Sequence, residues 1–234
     1  MEWWHILLIV VGSLLLLFVL SIVLYKPFFK RFWDIILSGT ALLILSPLLC
    51  VLVVLGLIFM KGNPFFTQDR PGKRNKSGKE RIFKLIKFRS MTNAKDENGK
   101  LLPDEKRLGR YGKFLRATSL DELPELLNIF IGDMSIVGPR PLLVTYLPFY
   151  FGEEKIRHNV RPGLTGLAQI NGRNFCDWDT RLQYDVKYVK NLSLFGDISI
   201  IFKTILKVLS RSGVSEKRIT PLDEERRDRT EEQL

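Results

Sequence analysis

Hydrophobic residues are concentrated in two long runs near the start of this chain, residues 3–25 and 35–60. Neither run contains Lys, Arg, Asp or Glu, and each exceeds the roughly 20 residues that a helix needs to cross a bilayer. A cleavable signal peptide would begin with basic residues, whereas this chain has Glu2 before the first run and Lys26 and Lys30 after it. The first run therefore predicts a retained membrane anchor whose C-terminal end lies in the cytoplasm.

The second run has basic residues on both flanks, with Lys30 and Arg31 before it and Lys61 after it. Because basic residues favour the cytoplasmic side, both ends of the run are expected there. Ser46-Pro47 lies near its middle, and a proline removes a helical N–H and favours a bend. Two interpretations stay open on the residues alone. The helix either bends at Ser46-Pro47 and leaves by the face it entered, or it spans the bilayer with a kink.

Beyond residue 61 the pattern changes to short segments of alternating or amphipathic character. Residues 65–68 predict a short strand, residues 69–72 a turn, and residues 81–91 a second strand. Alternate residues of a strand share one face. We therefore expect Lys87 and Arg89 to project side by side.

The spacing of apolar residues predicts helices at residues 123–131, 178–189 and 195–209, the last of them amphipathic. The aromatic segment 142–151 fits the core or an interfacial helix, and we favour the interface. The fold class predicted is a membrane-associated, mostly helical mixed α/β fold with short strands and interfacial amphipathic helices. Its parts are an N-terminal transmembrane segment (1–25), a membrane helix (26–61), a cytoplasmic catalytic domain (62–212) and a charged, disordered tail (213–234).

The 234 residues carry a formal net charge of +11, which favours an anionic partner such as nucleic acid, a lipid surface or a phosphorylated substrate. Basic residues are densest at positions 68–89, where nine Lys or Arg accompany two acids. We expect the cations of the loop to face anionic membrane lipids, and Lys87 and Arg89 to face a substrate phosphate. The two cysteines and two histidines suit neither a disulfide framework nor a zinc site built on histidines.

Two adjacent acids, Asp121 and Glu122, stand at the start of an apolar helical run, with Arg116 just upstream. One interpretation is structural, because Ser119 and Glu122 have the spacing of a capping box. The other is catalytic. A helix N-terminus favours anions, so Asp121 would stay ionised and a diphosphate would be drawn to it. The carboxylate could then attack phosphorus, with Mg²⁺ held at Asp121 and Glu122 to offset the repulsion between the anions.

Other segments offer groups that suit phosphates and nucleotides. Arg140 lies in a Gly-Pro-Arg-Pro loop that would hold it stiffly, and residues 161–166 form a Gly-rich turn with backbone amides for an anion. The expected phosphate-binding residues are Lys87, Arg89, Arg116 and Arg140. The expected nucleotide- or sugar-binding residues are Arg161, Gly163, Thr165, Gln169, Asn171 and Arg173.

Seven motifs occur in a characteristic order: Lys30-Arg-x-x-Asp34, Ser46-Pro47, Phe66-Thr-Gln-Asp-Arg-Pro-Gly72, Lys87-Phe-Arg-Ser-Met91, Ser119-Leu-Asp-Glu122, Gly132-Asp-Met-Ser-x-Val-Gly-Pro-Arg-Pro141 and Arg161-Pro-Gly-x-Thr-Gly-x-Ala-Gln-x-Asn-Gly-Arg173. Together they resemble the bacterial sugar transferase family, the monotopic polyprenyl-phosphate phosphoglycosyltransferases, over about residues 26–213. The chain is most similar to the small single-domain members, from which it departs by its additional apolar run at 3–25.

The resemblance implies a bacterial inner-membrane enzyme, with its catalytic domain on the cytoplasmic face, that transfers a phosphosugar from a UDP-sugar to undecaprenyl phosphate. It implies that the helix at 26–61 is re-entrant and broken at Ser46-Pro47. It also implies Asp121 as the nucleophile of a ping-pong mechanism that releases UMP and forms a covalent phosphosugar intermediate, Glu122 as its partner, and Mg²⁺ as cofactor. Asp185 joins the candidates because it matches a family position that lines the site, as Lys87, Arg116 and Arg140 do.

Overall likeness to small family members favours an N-acetylated sugar and the first membrane step of capsule, exopolysaccharide, O-antigen or glycoprotein glycan assembly. Downstream glycosyltransferases would take up the product, and no nucleic-acid partner is expected. Two other functions fit the residues less well. One is a non-catalytic membrane protein whose basic face binds anionic lipid or nucleic acid, which leaves Arg140 and the acids unexplained. The other is a phosphatase that acts on polyprenyl diphosphates through the same aspartate.

Overall fold

The computed structural model of the protein describes residues 3–172, 177–210 and 220–227, and within them the fold is mostly helical with two small sheets. The helices are α1 (Trp3–Val23), α2 (Lys30–Met60), α3 (Asp104–Arg107), α4 (Arg110–Thr118), α5 (Glu125–Ile131), α6 (Leu167–Gly172), α7 (Trp178–Lys190), α8 (Leu194–Leu209) and α9 (Leu222–Glu225). The strands are β1 (Phe65–Arg74), β2 (Glu80–Phe88), β3 (Ser135–Val137) and β4 (Gly163–Thr165). This arrangement confirms the predicted mixed α/β class with two apolar N-terminal helices.

The two apolar runs form α1 and α2, which are long and apolar enough to cross a membrane. No residue of α1 is buried against the rest of the protein. In α2 the buried residues lie toward the two ends, whereas Leu43 and Ile44 near the middle are 75% and 70% exposed. One face of the middle of α2 is therefore an apolar surface that the protein leaves uncovered, while Ala41, Leu42 and Leu45 pack against the cluster that contains Leu126 and Ile129.

Helix α2 continues through Pro47, and the residue before the proline compensates for the missing N–H. In a regular helix the N–H at position 47 would bond to the carbonyl of Leu43. Here the Ser46 hydroxyl donates to the Leu43 carbonyl at 2.8 Å. Pro47 thus removes one helical hydrogen bond, and the Ser46 hydroxyl replaces the missing N–H as the donor to the Leu43 carbonyl. In apolar surroundings a carbonyl needs such a donor from within the protein.

Both ends of α2 pack against the same globular unit, which begins after residue 61. At the N-terminal end, the Arg31 guanidinium donates to the carbonyls of Ile129 at 2.6 Å and Phe130 at 2.8 Å, at the end of α5. Toward the other end, the Tyr111 hydroxyl of α4 donates to the Leu52 carbonyl at 2.9 Å. Because α4 and α5 flank the acidic pair in sequence, α2 holds this segment from both sides.

The predicted turn at residues 69–72 is wrong, because β1 continues through it and pairs antiparallel with β2. The register shifts between Pro71 and Arg74, which marks a bulge. A proline is tolerated at such a position because the pairing is already interrupted and the missing N–H is not needed. The chain reverses instead at residues 75–78, where the Asn75 side chain accepts the backbone N–H of Ser77 at 3.0 Å.

The parallel strands β3 and β4 bring two Gly/Pro-rich loops into direct contact. The Gly138 N–H donates to the Thr165 carbonyl at 2.8 Å, and the Gly163 N–H donates to the Pro139 carbonyl at 2.9 Å. A Cβ on Gly138 would lie 2.5 Å from the Arg161 carbonyl oxygen. The absence of a side chain therefore permits this contact between backbones, which fixes the loop that carries Arg140.

The aromatic segment 142–151 lies in the core, not at the interface as favoured from its composition. Tyr146 and Tyr150 are buried, and Tyr146 packs edge-on against Trp178. The expectation of a disordered tail does not hold for residues 220–227, which contain α9 with Leu222 fully buried in the same cluster. The rest of the tail lies outside the described residues.

Candidate active site

The acidic pair occupies a single 3-10 turn, Leu120–Glu122, between α4 and α5. Ser119 ends α4 in the left-handed conformation, with φ of 56°, and its side chain makes no capping hydrogen bond. The capping-box interpretation is therefore wrong. A capping Ser needs an extended backbone from which its hydroxyl reaches the N–H three residues ahead, and the left-handed turn at Ser119 does not supply it.

The Glu122 carboxylate binds two cations that come from distant parts of the chain. Its Oε1 accepts from Lys87 Nζ at 2.7 Å and from Arg140 Nη2 at 2.7 Å. Burial alone would raise the pKa of Glu122, but the charges and hydrogen bonds of Arg140 and Lys87 outweigh it and lower the pKa to about 2. Glu122 is consequently a permanent anion that anchors both cations.

Glu125, which the sequence analysis did not single out, lies against the same lysine. Its side chain is only 3% exposed, and its Oε1 lies 2.9 Å from Lys87 Nζ. Burial raises the pKa of Glu125, and the negative charge of Glu122 adds to the rise, while Lys87 opposes it. The only sequence signal was an acid inside an otherwise apolar helical stretch, which is a pattern that more often marks a solvated position.

The Asp121 carboxylate is partly buried and makes no hydrogen bond or ion pair within residues 3–172, 177–210 and 220–227. Burial raises the pKa of Asp121, the charge of Glu122 raises it further, and Lys87, Arg116 and Arg140 act in the opposite direction. The expected stabilisation of its ionised form by a helix N-terminus is not found, because α5 starts only at Glu125 and is seven residues long. The two acids thus differ. The charge of the ionised Glu122 is balanced by the two cations that it binds, whereas Asp121 is the unengaged carboxylate beside it.

Of the other predicted phosphate ligands, Arg116 is close enough for its charge to act on Asp121, whereas within the described residues no contact joins the Arg89 side chain to the pair. Arg116 is exposed, and its Nε donates to the Ser90 hydroxyl at 2.9 Å. Strand β2 ends at Phe88, and the backbone N–H of the next residue, Arg89, still donates to the Pro64 carbonyl at 2.7 Å. Within the described part of the chain, the Arg89 side chain shows no hydrogen bond or ion pair. Lys87 therefore lies at the acidic pair as predicted, and the expected phosphate contact of Arg89 stays a prediction.

The backbone of Arg140 is bound by the side chain of Arg157, a residue that the sequence analysis missed. Arg157 is 3% exposed, and its Nη2 donates to the Arg140 carbonyl at 2.7 Å. The same guanidinium pairs with Asp185 at 2.9 Å and donates to the Tyr150 hydroxyl at 2.9 Å. Nothing in its polar sequence surroundings indicated burial, so Arg157 resembled a surface residue.

A cavity of about 470 Å³ opens beside Glu122, and its lining combines the charged residues Glu122, Arg140, Arg157 and Asp185 with apolar residues that include Ile201 and Ile205 of α8. Three of the predicted nucleotide- or sugar-binding residues line it: Thr165, Gln169 and Asp185. Three others bond elsewhere. Arg161 donates to the Gly132 carbonyl, Gly163 donates to Pro139 and Asn171 donates to Leu167. The expectation that the turn at 161–166 offers free amides is therefore wrong for Gly163, and Arg173 lies outside the described residues.

The fit of the site to Mg²⁺ depends on its oxygen ligands. Within the described residues, no group of three or more His, Cys, Asp or Glu side chains is arranged to hold a metal. Mg²⁺ usually takes only one or two carboxylates and completes its shell with water and substrate phosphates. The unengaged Asp121 carboxylate beside Glu122 fits that pattern, so the pair suits Mg²⁺ that arrives with a diphosphate.

Comparison with known proteins gives consistent matches over most of the chain. The sequence profile described as bacterial sugar transferase matches residues 25–211. The chain is 45% identical over 189 residues to the sugar transferase EpsL of Bacillus subtilis, covering 80% of this chain and 90% of that protein. It is 42% identical over 208 residues to a UDP-galactose-lipid carrier transferase of Erwinia amylovora and 39% identical over 204 residues to an undecaprenyl-phosphate galactose phosphotransferase of Salmonella typhimurium. In each of these two matches the alignment covers 80% of this chain and only 41% of the longer relative.

Proposed function

This chain belongs to the bacterial sugar transferase family, and from that membership and the geometry of its acidic pair we propose that it is a phosphoglycosyltransferase. It transfers a phosphosugar from a UDP-sugar to undecaprenyl phosphate and releases UMP. Relatives named for transfer of galactose to a lipid carrier or to undecaprenyl phosphate support this reaction class. The observation that carries the proposal is the unengaged Asp121 carboxylate beside a Glu122 that two cations already neutralise.

The reaction proceeds in two displacements at one phosphorus atom. An oxygen of Asp121 attacks the phosphorus that bears the sugar, the bond from this phosphorus to the UMP oxygen breaks, and UMP leaves with that electron pair. An oxygen of undecaprenyl phosphate then attacks the same phosphorus, which breaks the aspartyl bond and regenerates Asp121. Dividing one displacement into two is the usual advantage of a covalent intermediate.

The cations of the site offset the repulsion between Asp121 and the anionic diphosphate. Lys87 and Arg140 neutralise Glu122, so that the acidic pair does not present two uncompensated charges to the substrate. Arg140 keeps 44% of its side chain exposed and retains N–H groups for a phosphate, and the exposed Arg116 lies on the Asp121 side. Such preorganised charges stabilise the negative charge that builds up on the leaving phosphate.

Asp121 and Glu122 are the residues that would hold Mg²⁺. When bound, the ion supplies Lewis-acid neutralisation of the diphosphate charge. The protein's own contribution is to keep one carboxylate free of competing hydrogen bonds and to place fixed cations around the other.

A re-entrant α2 and an interfacial α8 are the proposed membrane attachment. Both ends of α2 and one face of its middle contact the same cytoplasmic unit, which favours a helix that returns to the face it entered. Helix α8 exposes Phe195 and Phe202 at 60% and 62%, as an interfacial helix would. The location is the bacterial inner membrane, with the catalytic domain on the cytoplasmic face beside anionic lipids.

Cysteine labelling tests the membrane arrangement. In a background without native cysteines, Lys26→Cys and Gly62→Cys should both react with an impermeant reagent from the cytoplasmic side. A Cβ at position 62 meets nothing within 4 Å, so this substitution is sterically harmless. Labelling of the two positions from opposite sides would overturn the re-entrant arrangement.

The nucleophile and the sugar are tested by UMP release from a panel of UDP-sugars, N-acetylated ones and UDP-galactose included. Without undecaprenyl phosphate, the protein should release about one UMP per active site and retain the labelled phosphosugar covalently. Asp121→Asn should abolish this burst, whereas Asp104→Asn, at a carboxylate that is 61% exposed, should not. UMP release that strictly requires the lipid, or persists in Asp121→Asn, would contradict the covalent mechanism.

A non-catalytic protein with a lipid-binding basic face is the second candidate. It predicts that no UDP-sugar yields UMP and that substitutions at Asp121 leave membrane binding unchanged. The neutralisation of Glu122 by residues from two distant segments has no role in that function. Release of inorganic phosphate without a lipid-linked sugar would instead indicate a phosphatase.

A further inference from the structure

The C-terminal segment 220–227 docks on the cytoplasmic domain, beyond the part of the chain that the family profile matches. Leu222 is fully buried in a cluster with Tyr146 and Trp178. The Trp178 indole N–H donates to the Thr220 carbonyl at 2.9 Å. The segment is therefore attached at its start by an apolar anchor and a backbone contact.

Arg226, at the end of this segment, is the largest fully buried side chain among the described residues. Its Nη1 and Nη2 bond to the two oxygens of Glu154 at 2.7 and 2.9 Å, and Nη2 also bonds to Asp179. Nη1 donates to the Phe149 carbonyl at 2.9 Å as well. A bidentate guanidinium that is removed from water fixes both the distance and the orientation of its partners.

The two acids that Arg226 joins lie on the same two elements as the pair behind Arg140. Glu154 precedes Arg157 in the 3-10 helix Gly152–Asn159, and Asp179 precedes Asp185 in α7. Arg226 is thus a second ionic bridge between these elements, beside the bridge from Arg157 to Asp185. The contacts then continue from Arg157 to the Arg140 carbonyl at 2.7 Å.

We propose that Arg226 is a positioning residue for catalysis: it locks the 3-10 helix Gly152–Asn159 against α7, and so holds the Arg157–Asp185 pair that places Arg140 on Glu122. The inference rests on the proposed function for its kinetic consequence only. The C-terminal segment acts on turnover through this chain of contacts and touches no substrate. Misplacement of a catalytic group by about 1 Å can cost on the order of a hundredfold in rate, which makes a remote bridge of this kind consequential.

Hydrogen exchange on the purified full-length protein tests the locking step without any substrate. In Arg226→Met, backbone amides of residues 152–159 and 178–185 should exchange about tenfold faster or more, whereas amides of β1 and β2 keep their parent rates. Arg227→Met is the matched control, because Arg227 is an exposed neighbour on the same segment. Unchanged exchange in Arg226→Met, or equal acceleration throughout the chain, overturns the proposal.

The kinetic consequence is tested by UMP release at saturating UDP-sugar. Arg226→Met should lower kcat by about tenfold or more at an unchanged KM, and the milder Asp179→Asn should lower it less. Since Arg226 acts through Arg157, the kcat of the double variant Arg157→Met/Arg226→Met should lie within about threefold of the kcat of Arg157→Met alone. The positioning role is contradicted if the two substitutions reduce kcat by independent factors that multiply in the double variant, or if Arg226→Met has the kcat of the parent. A parent protein that releases no UMP refutes the proposed function instead, and the exchange experiment then still decides the locking step.

Discussion

Replacing Lys87 with Met removes a cation that forms ion pairs with two acids of the site. Lys87 Nζ is 2.7 Å from Glu122 Oε1 and 2.9 Å from Glu125 Oε1, and its side chain is 18% exposed. After the substitution, Glu122 still has Arg140 at 2.7 Å. Glu125, which is 3% exposed, loses the cation within its reach. The substitution therefore leaves one buried carboxylate without an ion-pair partner, although the more distant charge of Arg140 still acts on it.

The size of the effect follows from that single uncompensated charge. Removing one partner of a buried ion pair costs about 3–5 kcal/mol. Burial already raises the pKa of Glu125, so this carboxyl can take up a proton and the cost falls to the low end, about 3 kcal/mol. For a protein of this size that corresponds to a melting temperature lower by about 6–12 °C. Because a protonated Glu125 needs no cation beside it, the loss should shrink as the pH is lowered.

The assay measures the apparent melting temperature in detergent together with UMP release. Lys84→Met is the matched control on the same strand, because Lys84 and its partner Asp69 are 75% and 62% exposed and 3.7 Å apart, a pair worth about 0–1 kcal/mol. The double variant Lys87→Met/Glu125→Gln should regain most of the stability, since it removes the uncompensated charge. It should not regain turnover, because Glu122 still lacks Lys87.

Two results would refute this reasoning. A melting temperature of Lys87→Met equal to that of Lys84→Met would show that the contact with Glu125 has no energetic weight. A double variant with parent-like turnover would show that Lys87 has no role toward Glu122 and serves only the buried glutamate.

Three further predictions concern the acidic pair and its supporting loop. Glu122→Gln should lower the rate of UMP release by about a hundredfold or more, since the anion that anchors both cations is lost; a rate within threefold of the parent would contradict this. Because the folded-state pKa of Glu122 is lowered from 4.5 to about 2, its ionised form contributes about 3 kcal/mol that is present above pH 4.5 and lost as the pH falls to 2. The difference in melting temperature between the parent and Glu122→Gln should therefore be largest at neutral pH and vanish near pH 2, and a constant difference would exclude the ion pairs as its cause. Gly138→Ala should lower both stability and turnover because its Cβ would lie 2.5 Å from the Arg161 carbonyl oxygen, whereas Gly62→Ala meets nothing within 4 Å and should resemble the parent in both measurements.

Helices and strands whose positions depend on the local spacing of apolar residues could be predicted from the sequence. The apolar runs, the helices at 178–189 and 195–209 and the strand that carries Lys87 follow from spacing, because burial of one face of an element imposes a period on its own sequence. Two of the predicted candidates, Glu122 and Arg140, line one cavity and pair with each other there.

Contacts between distant segments were decided only by the tertiary structure. Whether Glu122 caps a helix or binds cations depends on Lys87, 35 residues before it, and on Arg140, 18 residues after it. Arg157 and Arg226 resembled solvated residues in sequence, yet both are buried. A buried ion is stable only when a counter-charge and hydrogen-bond acceptors meet it in three dimensions, and local periodicity carries no information about that meeting. The sequence by itself thus determined Asp121, Glu122 and Arg140 as candidates, and the packing of remote segments decided that Glu122 is the engaged carboxylate of the pair.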